Sequence, residues 1–474
     1  MKQAYNPYLP PWEFVPDGEP YVFNDRIYVY GSHDRYGGDE FCLEPYVCWS
    51  APIDNLGDWT YHGIIYTGEN DPLNPDKTRR MFAPDVVEIN GAYYLYYGLD
   101  TCSTISVAKA INPEGPFVFY GNVMHPDGTI LGLKENDRNQ FDPGIFKDDD
   151  GSIYLYSGFS PKPVIVELIK KKFPDDKNVL KATSDGNWCY KLRDDMITID
   201  GTMNKLIPGL VNSKGTGFEG HEFFEASSMR KYNGKYYLIY SSVNQHELCY
   251  AMSSYPDRNF EYKGILYSNC NVGIDDKPTY YFGNNHGSLV KINDKYYIFG
   301  HRHTYISQYQ RQGVAEKITM NDDGTFNQAE MTSCGLNDTP LKSHETYPSY
   351  ICCLLMAKTG AGLLGEIDNN MHPYIALDDY KQSYIANILD GTIIGYKYFD
   401  LKNVNKIKVE VKSTDKGRFS IYTNLNENPI SIVDINQCND FKCFSCDVEI
   451  KDGVYPIYFK YEGQGVVEFK NFKL

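Results

Sequence analysis

The chain has 474 residues, which is long enough for two or more domains. Its formal net charge of −16 and its pI of about 5.1 argue against nucleic acid as a partner, because phosphate binding needs a basic surface. Its 42 tyrosines stand against only 4 tryptophans, which favours β-structure and supplies flat aromatic faces for a ligand.

The first residues, MKQAYNPYLPPWEF, lack the apolar core of a signal peptide. We therefore expect a cytoplasmic protein, or a secreted one whose signal has been trimmed. The sequence contains no apolar run long enough for a membrane-spanning helix, so we expect no membrane partner. The twelve cysteines are scattered, which favours free thiols over disulfides.

A hairpin pattern recurs along the chain: a short apolar strand, a turn of the Asn-Gly, Asp-Gly or Asn-Asp type, and a tyrosine-rich strand. The five copies span residues 20–34, 84–100, 143–159, 227–243 and 287–303. In each copy a tyrosine follows the second turn residue by three positions: Tyr28, Tyr94, Tyr154, Tyr237 and Tyr297. A radial repeat of small antiparallel sheets explains this pattern, so the sequence predicts a five-bladed β-propeller over roughly residues 5–333. The long stretch 160–220 predicts an insertion.

Polar and aromatic residues stand just before each hairpin, where the repeat would bring them to one end of the central channel. They are Asp17, Phe82, Asp85, Asp142, Glu225 and His286. Taken singly, each acid fits a turn or a solvated loop equally well, and the histidine fits a hydrogen-bonded core position. Their equivalent placement in the repeat instead favours a shared functional site.

A second domain follows the repeat. Residues 335–349 read as a polar linker between a propeller of residues 1–334 and a domain of residues 350–474. In the latter, Lys406, Lys408, Glu410 and Lys412 alternate with apolar residues, as in a strand with one wet face. The fold class is therefore all-β, with a β-sandwich (jelly roll) expected after the propeller. A structural appendage and a sugar-binding module both fit this domain.

The motifs in their order resemble those of glycoside hydrolase family 43. They are VPDGEPYVFNDRIYVYGSHD at 15–34, MFAPDVVEINGAYYLYY at 81–97, FDPGIFKDDDGSIYLYSG at 141–158, FFEASSMRKYNGKYYLIYSS at 223–242 and NNHGSLVKINDKYYIFGHRH at 284–303. The family's fold is a five-bladed propeller, in agreement with the repeat count. The tail, especially DGTIIGYKYFDL at 390–401, resembles a family 6 carbohydrate-binding module.

The resemblance implies catalytic roles by position. Asp17 matches the general base, although Glu19 follows closely and is an alternative carboxylate for that role. Asp142 matches the carboxylate that orients the acid and tunes its pKa, and Glu225 matches the general acid. Inverting hydrolysis needs one protonated and one ionised carboxyl roughly 6.5–9.5 Å apart. We expect the apolar neighbours Phe223, Phe224 and Ala226, together with Asp142, to keep Glu225 protonated.

The resemblance also implies substrate and metal contacts. Phe82 stands where a ring would stack on the sugar, with Asp85 in support, and Arg311 matches a substrate-binding arginine. His286 matches a channel histidine associated with a bound metal, commonly calcium, and a calcium ion in the C-terminal domain is a further expectation. The chemistry itself would need no cofactor.

The function implied is an inverting exo-glycosidase acting on arabinose- or xylose-containing plant oligosaccharides or polysaccharides, either an α-L-arabinofuranosidase or a β-D-xylosidase. Three alternatives stay open: a non-catalytic carbohydrate-binding propeller, an endo-acting arabinanase or xylanase, and a retaining fructan-type hydrolase.

Overall fold

Each of the five sequence hairpins forms the inner half of a separate antiparallel sheet. The computed structural model describes residues 3–175, 181–273, 277–365 and 370–474. The first blade contains β1 Glu19–Phe23, β2 Arg26–Tyr30, β3 Tyr46–Pro52 and β4 Thr60–Tyr66. The second contains β5 Met81–Ile89, β6 Ala92–Leu99, β7 Ile105–Ala110 and β8 Val118–Asn122.

The other three blades follow the same meander from the channel outward. The third contains β9 Gly144–Lys147, β10 Ile153–Ser157, β11 Gly186–Leu192 and β12 Ile199–Pro208. The fourth contains β13 Phe223–Tyr232, β14 Lys235–Ser242, β15 Glu247–Ser253 and β16 Glu261–Ser268. The fifth contains β17 Leu289–Ile292, β18 Lys295–His303 and β19 Arg311–Ile318.

The turns and tyrosines of the repeat have a common structural role. Four turns carry an asparagine in the left-handed region, with φ between 51° and 54°: Asn24, Asn90, Asn233 and Asn293. Asparagine tolerates this conformation better than most residues, so it sets a tight hairpin. All five repeated tyrosines are buried. The repeat thus combines a local turn signal with a core contact.

The innermost strands β1, β5, β9, β13 and β17 contact one another around a central channel. A parallel bridge between Gly18 and Gly287 joins the first and last blades. Gly287 is required there, because a Cβ atom would lie 2.0 Å from the Phe299 carbonyl oxygen. The N-terminal segment fastens the ring, since the Asn6 side chain exchanges hydrogen bonds with the Ala315 backbone of β19. The predicted five-bladed propeller is confirmed.

A helix interrupts the third blade. Helix α1, Pro163–Lys172, lies between β10 and β11, within the stretch where the sequence predicts an insertion. A proline in its first turn suits the start of a helix, where backbone N–H groups have no intrahelical acceptor. Among the described residues, no helix combines the length and apolar character needed to cross a bilayer.

Two sheets of six strands each form the C-terminal sandwich. The first sheet contains β20 Leu341–Lys342, β22 Leu354–Met356, β25 Ile393–Leu401, β27 Gly417–Tyr422, β28 Ser431–Ile435 and β30 Gly453–Gly463. The second contains β21 Thr346–Pro348, β23 Tyr374–Leu377, β24 Ser383–Ile388, β26 Lys406–Ser413, β29 Cys438–Asp447 and β31 Val467–Lys473. A 3₁₀ helix, Ser349–Ile351, joins the two sheets. The predicted β-sandwich is confirmed.

The segment 335–349 differs from the polar linker that its composition suggests. Strand β20 pairs with β25 and strand β21 pairs with β31, so the segment belongs to both sheets of the sandwich. Leu341 and Tyr347 are buried in the sandwich core. A few buried side chains among many polar neighbours anchor the segment, and composition averages hide such isolated positions.

The sandwich packs directly against the propeller. Tyr280 and Tyr281, between the fourth and fifth blades, belong to the same buried cluster as the sandwich core. Arg302 on β18 donates to the Cys352 carbonyl oxygen at 2.8 Å. The two domains therefore share buried apolar surface and a buried hydrogen bond.

Candidate active site

A pocket opens at the end of the channel where the innermost strands begin. Its volume is about 320 Å³. It brings together every site residue predicted from the sequence except Asp85: Asp17, Phe82, Asp142, Glu225, His286 and Arg311. These residues come from all five blades or from the segments next to them, as the repeat predicts.

Irregular backbone aims the side chains into this pocket. Asp17 and Asp142 both have positive φ, at 58° and 46°, and Ala226 has φ 69°. The register of β13 against β14 shifts on both sides of Glu225. Bulges of this kind rotate one side chain out of the regular alternation and are common next to active sites. The unfavourable conformation of Ala226 is thus tied to the orientation of Glu225.

Asp17 is held as an ion. Arg311 Nη1 lies 3.0 Å and 3.2 Å from its two carboxylate oxygens, and His301 Nδ1 lies 3.3 Å from Oδ1. Asp34 accepts two hydrogen bonds of 2.9 Å from Arg311 and so fixes the guanidinium. Burial alone would raise the pKa of Asp17, but Arg311 and His301 outweigh it and hold that pKa well below its usual range.

Glu225 is in the opposite electrostatic situation. It is buried, and its hydrogen bond from Asn284 Nδ2 to Oε1 is long, at 3.4 Å. Burial and then the nearby charge of Asp142 raise the pKa of Glu225 to about 8. Phe224 lines the pocket beside it, whereas Phe223 points into the core of the blade. Only one of the two expected phenylalanines therefore shields the carboxyl.

Asp142 lies between Glu225 and His286. The Ala226 N–H donates to Asp142 Oδ2 at 3.2 Å, and His286 Nδ1 lies 3.6 Å from the same oxygen. Burial raises the pKa of Asp142, although His286 opposes this effect. Burial would lower the pKa of His286, but Glu19, Asp142 and Asp17 together raise it to about 9. The imidazole is therefore cationic at neutral pH.

Glu19, the alternative carboxylate, does not line the pocket. Its Oε2 accepts hydrogen bonds from Arg230 Nη2 at 2.7 Å and from the Ser228 hydroxyl at 3.0 Å. Its Oε1 lies 3.8 Å from His286 Nε2. Between the two candidates, the geometry favours Asp17 as the carboxylate that reaches a ligand.

The prediction that Asp85 contacts substrate is wrong. Asp85 is fully buried on β5, outside the pocket. Its Oδ1 accepts from the Tyr21 hydroxyl at 2.6 Å, and its Oδ2 accepts from the Ile145 N–H at 2.7 Å. The register of β5 shifts between Phe82 and Asp85, so the two residues are not on a regular strand. Phe82 faces the pocket, while Asp85 joins three inner strands.

A row of phenylalanines forms one wall of the pocket. The ring centroids of Phe82 and Phe141 are 5.5 Å apart, those of Phe141 and Phe159 are 5.3 Å apart, and those of Phe159 and Phe224 are 5.6 Å apart. A fifth ring, Phe41, lies against the Arg311 guanidinium, 4.7 Å from its carbon to the ring centroid. Such a wall suits the apolar face of a sugar ring.

The sequence interpretation missed several lining residues. They are Phe41, Phe141, Phe159, Pro161, Lys162, Ile165, Val243, Gln245, Asn284 and Gln308. Phe141 directly precedes Asp142 in the motif at 141–158, and Asn284 lies two positions before His286 in the motif at 284–303. Lys162 and Ile165 come from helix α1 and its N-cap, and no repeat position predicts them.

The residues around His286 do not fit a calcium ion. Calcium takes six to eight oxygen ligands. Oε2 of Glu19 is already engaged by Arg230, and both Asp85 oxygens accept internal hydrogen bonds. The buried guanidinium of Arg230 would also repel a divalent ion. The expectation of calcium at His286 therefore disagrees with the donor set.

A separate group of potential ligands lies on the fourth blade. Among the described residues, His221, Glu247 and Cys249 bring their ligand atoms within 4.8 Å of one another. Glu247 Oε2 accepts hydrogen bonds from His221, Ser242 and Asn244. Burial raises the pKa of the Cys249 thiol well above its ordinary value, so the thiolate that a metal prefers is disfavoured. This group is a hydrogen-bonded cluster.

Comparisons with known proteins agree with this architecture. The family model described as "Glycosyl hydrolases family 43" matches residues 13–326. A "Xylosidase/arabinosidase" of Thermoclostridium stercorarium is 45% identical over 486 aligned residues, covering 100% of this chain and 99% of that protein.

Two solved structures extend the comparison. The structure of RS223-β-xylosidase has a TM-score of 0.51 at 26% identity, covering 69% of this chain and 98% of that chain. A family 43 arabinoxylan arabinofuranohydrolase of Bacillus subtilis, in complex with cellotetraose, has a TM-score of 0.50 at 20% identity. That match covers 99% of this chain and 97% of the other, and it shows a shared fold.

Proposed function

The chain belongs to glycosyl hydrolase family 43, and from this membership we propose that it removes terminal α-L-arabinofuranosyl or β-D-xylosyl residues from plant oligosaccharides. Enzymes of this family hydrolyse glycosidic bonds with inversion and need no cofactor for the chemistry. One observation carries the proposal: a single pocket holds one carboxyl as an ion, Asp17, and another as an acid, Glu225.

In this mechanism Glu225 is the general acid. It donates its proton to the glycosidic oxygen as the bond to the anomeric carbon breaks, so the leaving sugar departs as an alcohol. Its raised pKa supports this role, because the carboxyl still holds its proton at neutral pH. The adjoining Phe224 and the pocket wall keep water away from the carboxyl.

Asp17 is the general base. It accepts a proton from a water molecule that attacks the anomeric carbon from the face opposite the leaving group, which inverts the configuration. Its lowered pKa keeps the carboxylate ionised over a wide pH range in which Glu225 is still protonated. Arg311 orients the carboxylate through two contacts and contributes to the substrate site by closing one side of the pocket.

Asp142 orients the acid and determines where the shared proton lies. Glu225 and Asp142 are coupled, so their protons are lost in steps that belong to the pair. The Ala226 N–H and the His286 cation both favour the ionised form of Asp142. The proton of the pair therefore lies on Glu225, where the reaction uses it.

The pocket supports action at chain ends. Its volume of about 320 Å³ is at the lower end of the range for small-molecule sites, roughly 300–1,000 Å³. Phe82 and the phenylalanine row would stack on the sugar, while Asn284, Gln245 and Gln308 offer hydrogen-bonding groups. A single terminal sugar with part of its neighbour fits this arrangement.

The experiment that tests the proposal compares two leaving groups. We expect wild-type protein to hydrolyse p-nitrophenyl α-L-arabinofuranoside or β-D-xylopyranoside, and also the matching disaccharide. The change Glu225→Gln should lower kcat by about 100-fold or more on the disaccharide, whose leaving group needs a proton, and by less on the nitrophenyl glycoside. Asp17→Asn should impair both equally. Glu261→Gln, an exposed acid of the same blade, is the matched control.

Two results would overturn the proposal. Binding of oligosaccharides without turnover would establish a non-catalytic carbohydrate-binding propeller. Release of oligosaccharides rather than monosaccharide from arabinan or xylan would establish endo action. NMR of the first anomer formed separates inversion from retention.

We also propose two units, a propeller of residues 1–334 and a sandwich of residues 350–474 to which the segment 335–349 adds two strands. The sandwich resembles a family 6 carbohydrate-binding module. The two-sheet architecture supports this resemblance. Tyr380, beside β23 and β24, is 84% exposed and offers a ring for a glycan. Depletion of the protein by insoluble xylan, compared between wild type and Tyr380→Ala, tests glycan binding.

Calcium in the C-terminal domain stays a prediction, tested by the response of the melting temperature to added calcium.

A further inference from the structure

Arg230 is buried in the propeller channel, where it joins three innermost strands. From β13, its Nη2 donates to Glu19 Oε2 on β1 at 2.7 Å, and its Nε donates to the Leu289 carbonyl oxygen on β17 at 2.8 Å. Its Nη1 contacts the Tyr21 hydroxyl at 3.1 Å, and the guanidinium lies 4.5 Å from the Tyr21 ring centroid. A long, flexible side chain is thus fixed in one geometry.

The charge of Arg230 is connected to the pocket through alternating partners. Glu19 uses Oε2 for Arg230, and its Oε1 faces His286 Nε2 at 3.8 Å. His286 Nδ1 in turn lies 3.6 Å from Asp142 Oδ2. The four side chains therefore form a continuous series along the channel, and it ends at the Asp142 carboxylate beside Glu225. All four groups are buried.

A divalent ion and this arginine would compete for the same role. Either one can neutralise Glu19 and bind the inner strands together at the channel axis. The guanidinium already occupies the hydrogen-bonding positions of Glu19 Oε2 and of the Leu289 carbonyl oxygen. An ion beside it would be repelled by a buried like charge. The chain therefore supplies its own cation.

We propose that Arg230 is a positioning residue that takes the place of a metal ion in the channel: it fixes Glu19 and, through His286, holds Asp142 beside the catalytic acid. Two consequences follow. The folded enzyme is insensitive to divalent cations at this site. Loss of Arg230 impairs the chemical step more than it impairs substrate binding, although Arg230 touches no substrate. The kinetic consequence rests on the proposed glycosidase function, whereas the metal consequence does not.

The first test uses the melting temperature. The wild-type full chain is dialysed against EDTA, and its melting temperature is measured with and without about 10 mM calcium chloride. This concentration exceeds the dissociation constants of weak calcium sites, which are about 0.1–1 mM. Calcium bound in the C-terminal domain would shift wild type and channel variants alike, so the test compares the calcium-induced shift between proteins. The change Arg230→Ser opens space beside Glu19, and this variant should gain more stability from calcium than wild type does; equal shifts would contradict the proposal. A calcium-dependent rise in the wild-type melting temperature that Arg230→Ser abolishes would overturn the proposal.

The second test separates positioning from simple structural support. Arg230→Met leaves Glu19 buried without its partner, so we expect lower stability and a fall in kcat of about 10-fold or more with KM nearly unchanged. Glu19→Gln combined with Arg230→Met removes both charges and should recover much of the melting temperature while kcat stays low. Arg230→Lys, which keeps the charge, should retain more activity than Arg230→Met.

Arg302 supplies the matched control. It is another buried arginine that stacks on a tyrosine, with its guanidinium carbon 4.7 Å from the Tyr280 ring centroid, but it faces the sandwich. Arg302→Met should lower the melting temperature without lowering kcat at a temperature where the variant is folded. If the double variant at residues 19 and 230 recovers kcat together with stability, Arg230 has only a structural role and the positioning proposal is wrong.

Discussion

Asp17 and Glu225 are carboxyls of the same pocket, yet their surroundings shift their pKa values in opposite directions. Asp17 has a guanidinium and an imidazole as partners, and Glu225 has one long hydrogen bond from an amide. Both are buried, so the difference lies in the charge of their neighbours rather than in solvent access. General acid and base chemistry at one pH requires such a separation.

The pH profile of kcat/KM should reflect this separation. Activity needs Asp17 ionised and Glu225 protonated, so the alkaline limb should lie near pH 8 and the acid limb below the ordinary aspartate range. In Asp142→Asn the negative charge that raises the pKa of Glu225 is gone, so Glu225 loses its proton at lower pH. We expect the alkaline limb to move down by about 1 pH unit. Asp323→Asn, in an exposed turn, should leave the profile unchanged; an unmoved limb in Asp142→Asn would contradict the coupling.

Glu316 on β19, which does not line the pocket, should make the stability of the protein depend on pH. Burial raises its pKa to about 8, and its Oε2 accepts hydrogen bonds from the Thr332 N–H and hydroxyl. The unfolded carboxyl titrates near 4.5. The folded state therefore binds this proton more tightly than the unfolded state does. The stabilisation contributed by Glu316 is fully present below pH 4.5 and is lost as the pH rises towards 8.

Glu316→Gln removes this titration while keeping an oxygen that can accept from Thr332. We expect the difference in melting temperature, variant minus wild type, to be about 3 °C larger at pH 8 than at pH 5. Glu427→Gln, an exposed glutamate of the sandwich, is the control. A difference between variant and wild type that is the same at both pH values would show that Glu316 titrates normally.

At the scale of elements, the hairpins could be predicted from the sequence because their signals are local. The two turn residues and the tyrosine three positions after the second of them are fixed by backbone geometry within a few residues. Five such copies determine the fold class, since small sheets of this kind must pack against one another around a channel. The acids just before β1 and β9 and near the start of β13 follow from the same reasoning.

The rest of the site depends on contacts that no local pattern contains. The backbone irregularities of β5 and β13 decide that Phe82 and Glu225 face the pocket and that Asp85 does not. The phenylalanine row comes from separate segments that meet only in the folded chain. Helix α1 reaches the pocket because the insertion between β10 and β11 folds back towards it. Turn and strand signals in the sequence do not specify the path of this insertion.

Gly144 links an element's packing to catalysis. It begins β9, two residues after Asp142, and a Cβ atom there would lie 2.3 Å from the Ser227 carbonyl oxygen of β13. Gly144→Ala must push the two strands apart and lengthen the contact between Asp142 and the Ala226 N–H. We expect kcat to fall by about 10-fold or more, because a shift of about 1 Å at a catalytic group has effects of this size or larger.

Gly151, at the turn between β9 and β10, is the matched control for Gly144. Its φ is 86°, and a Cβ atom there would meet open space. Gly151→Ala should therefore reduce the melting temperature through backbone strain without lowering kcat. Equal loss of kcat in both variants would mean that general destabilisation of the third blade, and not the position of Asp142, explains the Gly144 result.

At the scale of the molecule, the sandwich supports a loop that lines the pocket. Tyr305 lies between two rings, with centroid distances of 4.7 Å to Tyr36 of the propeller and 5.3 Å to Tyr374 of β23. The Ile375 N–H donates to the Thr304 carbonyl oxygen at 2.8 Å. Gln308 of the same loop lines the pocket. The C-terminal domain thus reaches the active site through the propeller loop that it holds.

Tyr305→Ala should therefore change substrate binding from outside the pocket. The variant removes the ring between the domains, so the loop that carries Gln308 loses its support. Since Gln308 would contact the sugar before and during the reaction alike, we expect KM to rise by about 3-fold or more with kcat nearly unchanged. Tyr255→Ala, at a half-exposed ring on the fourth blade, should leave both constants as they are. If KM stays constant in Tyr305→Ala while the melting temperature falls, the sandwich contributes stability alone and the pocket is complete without it.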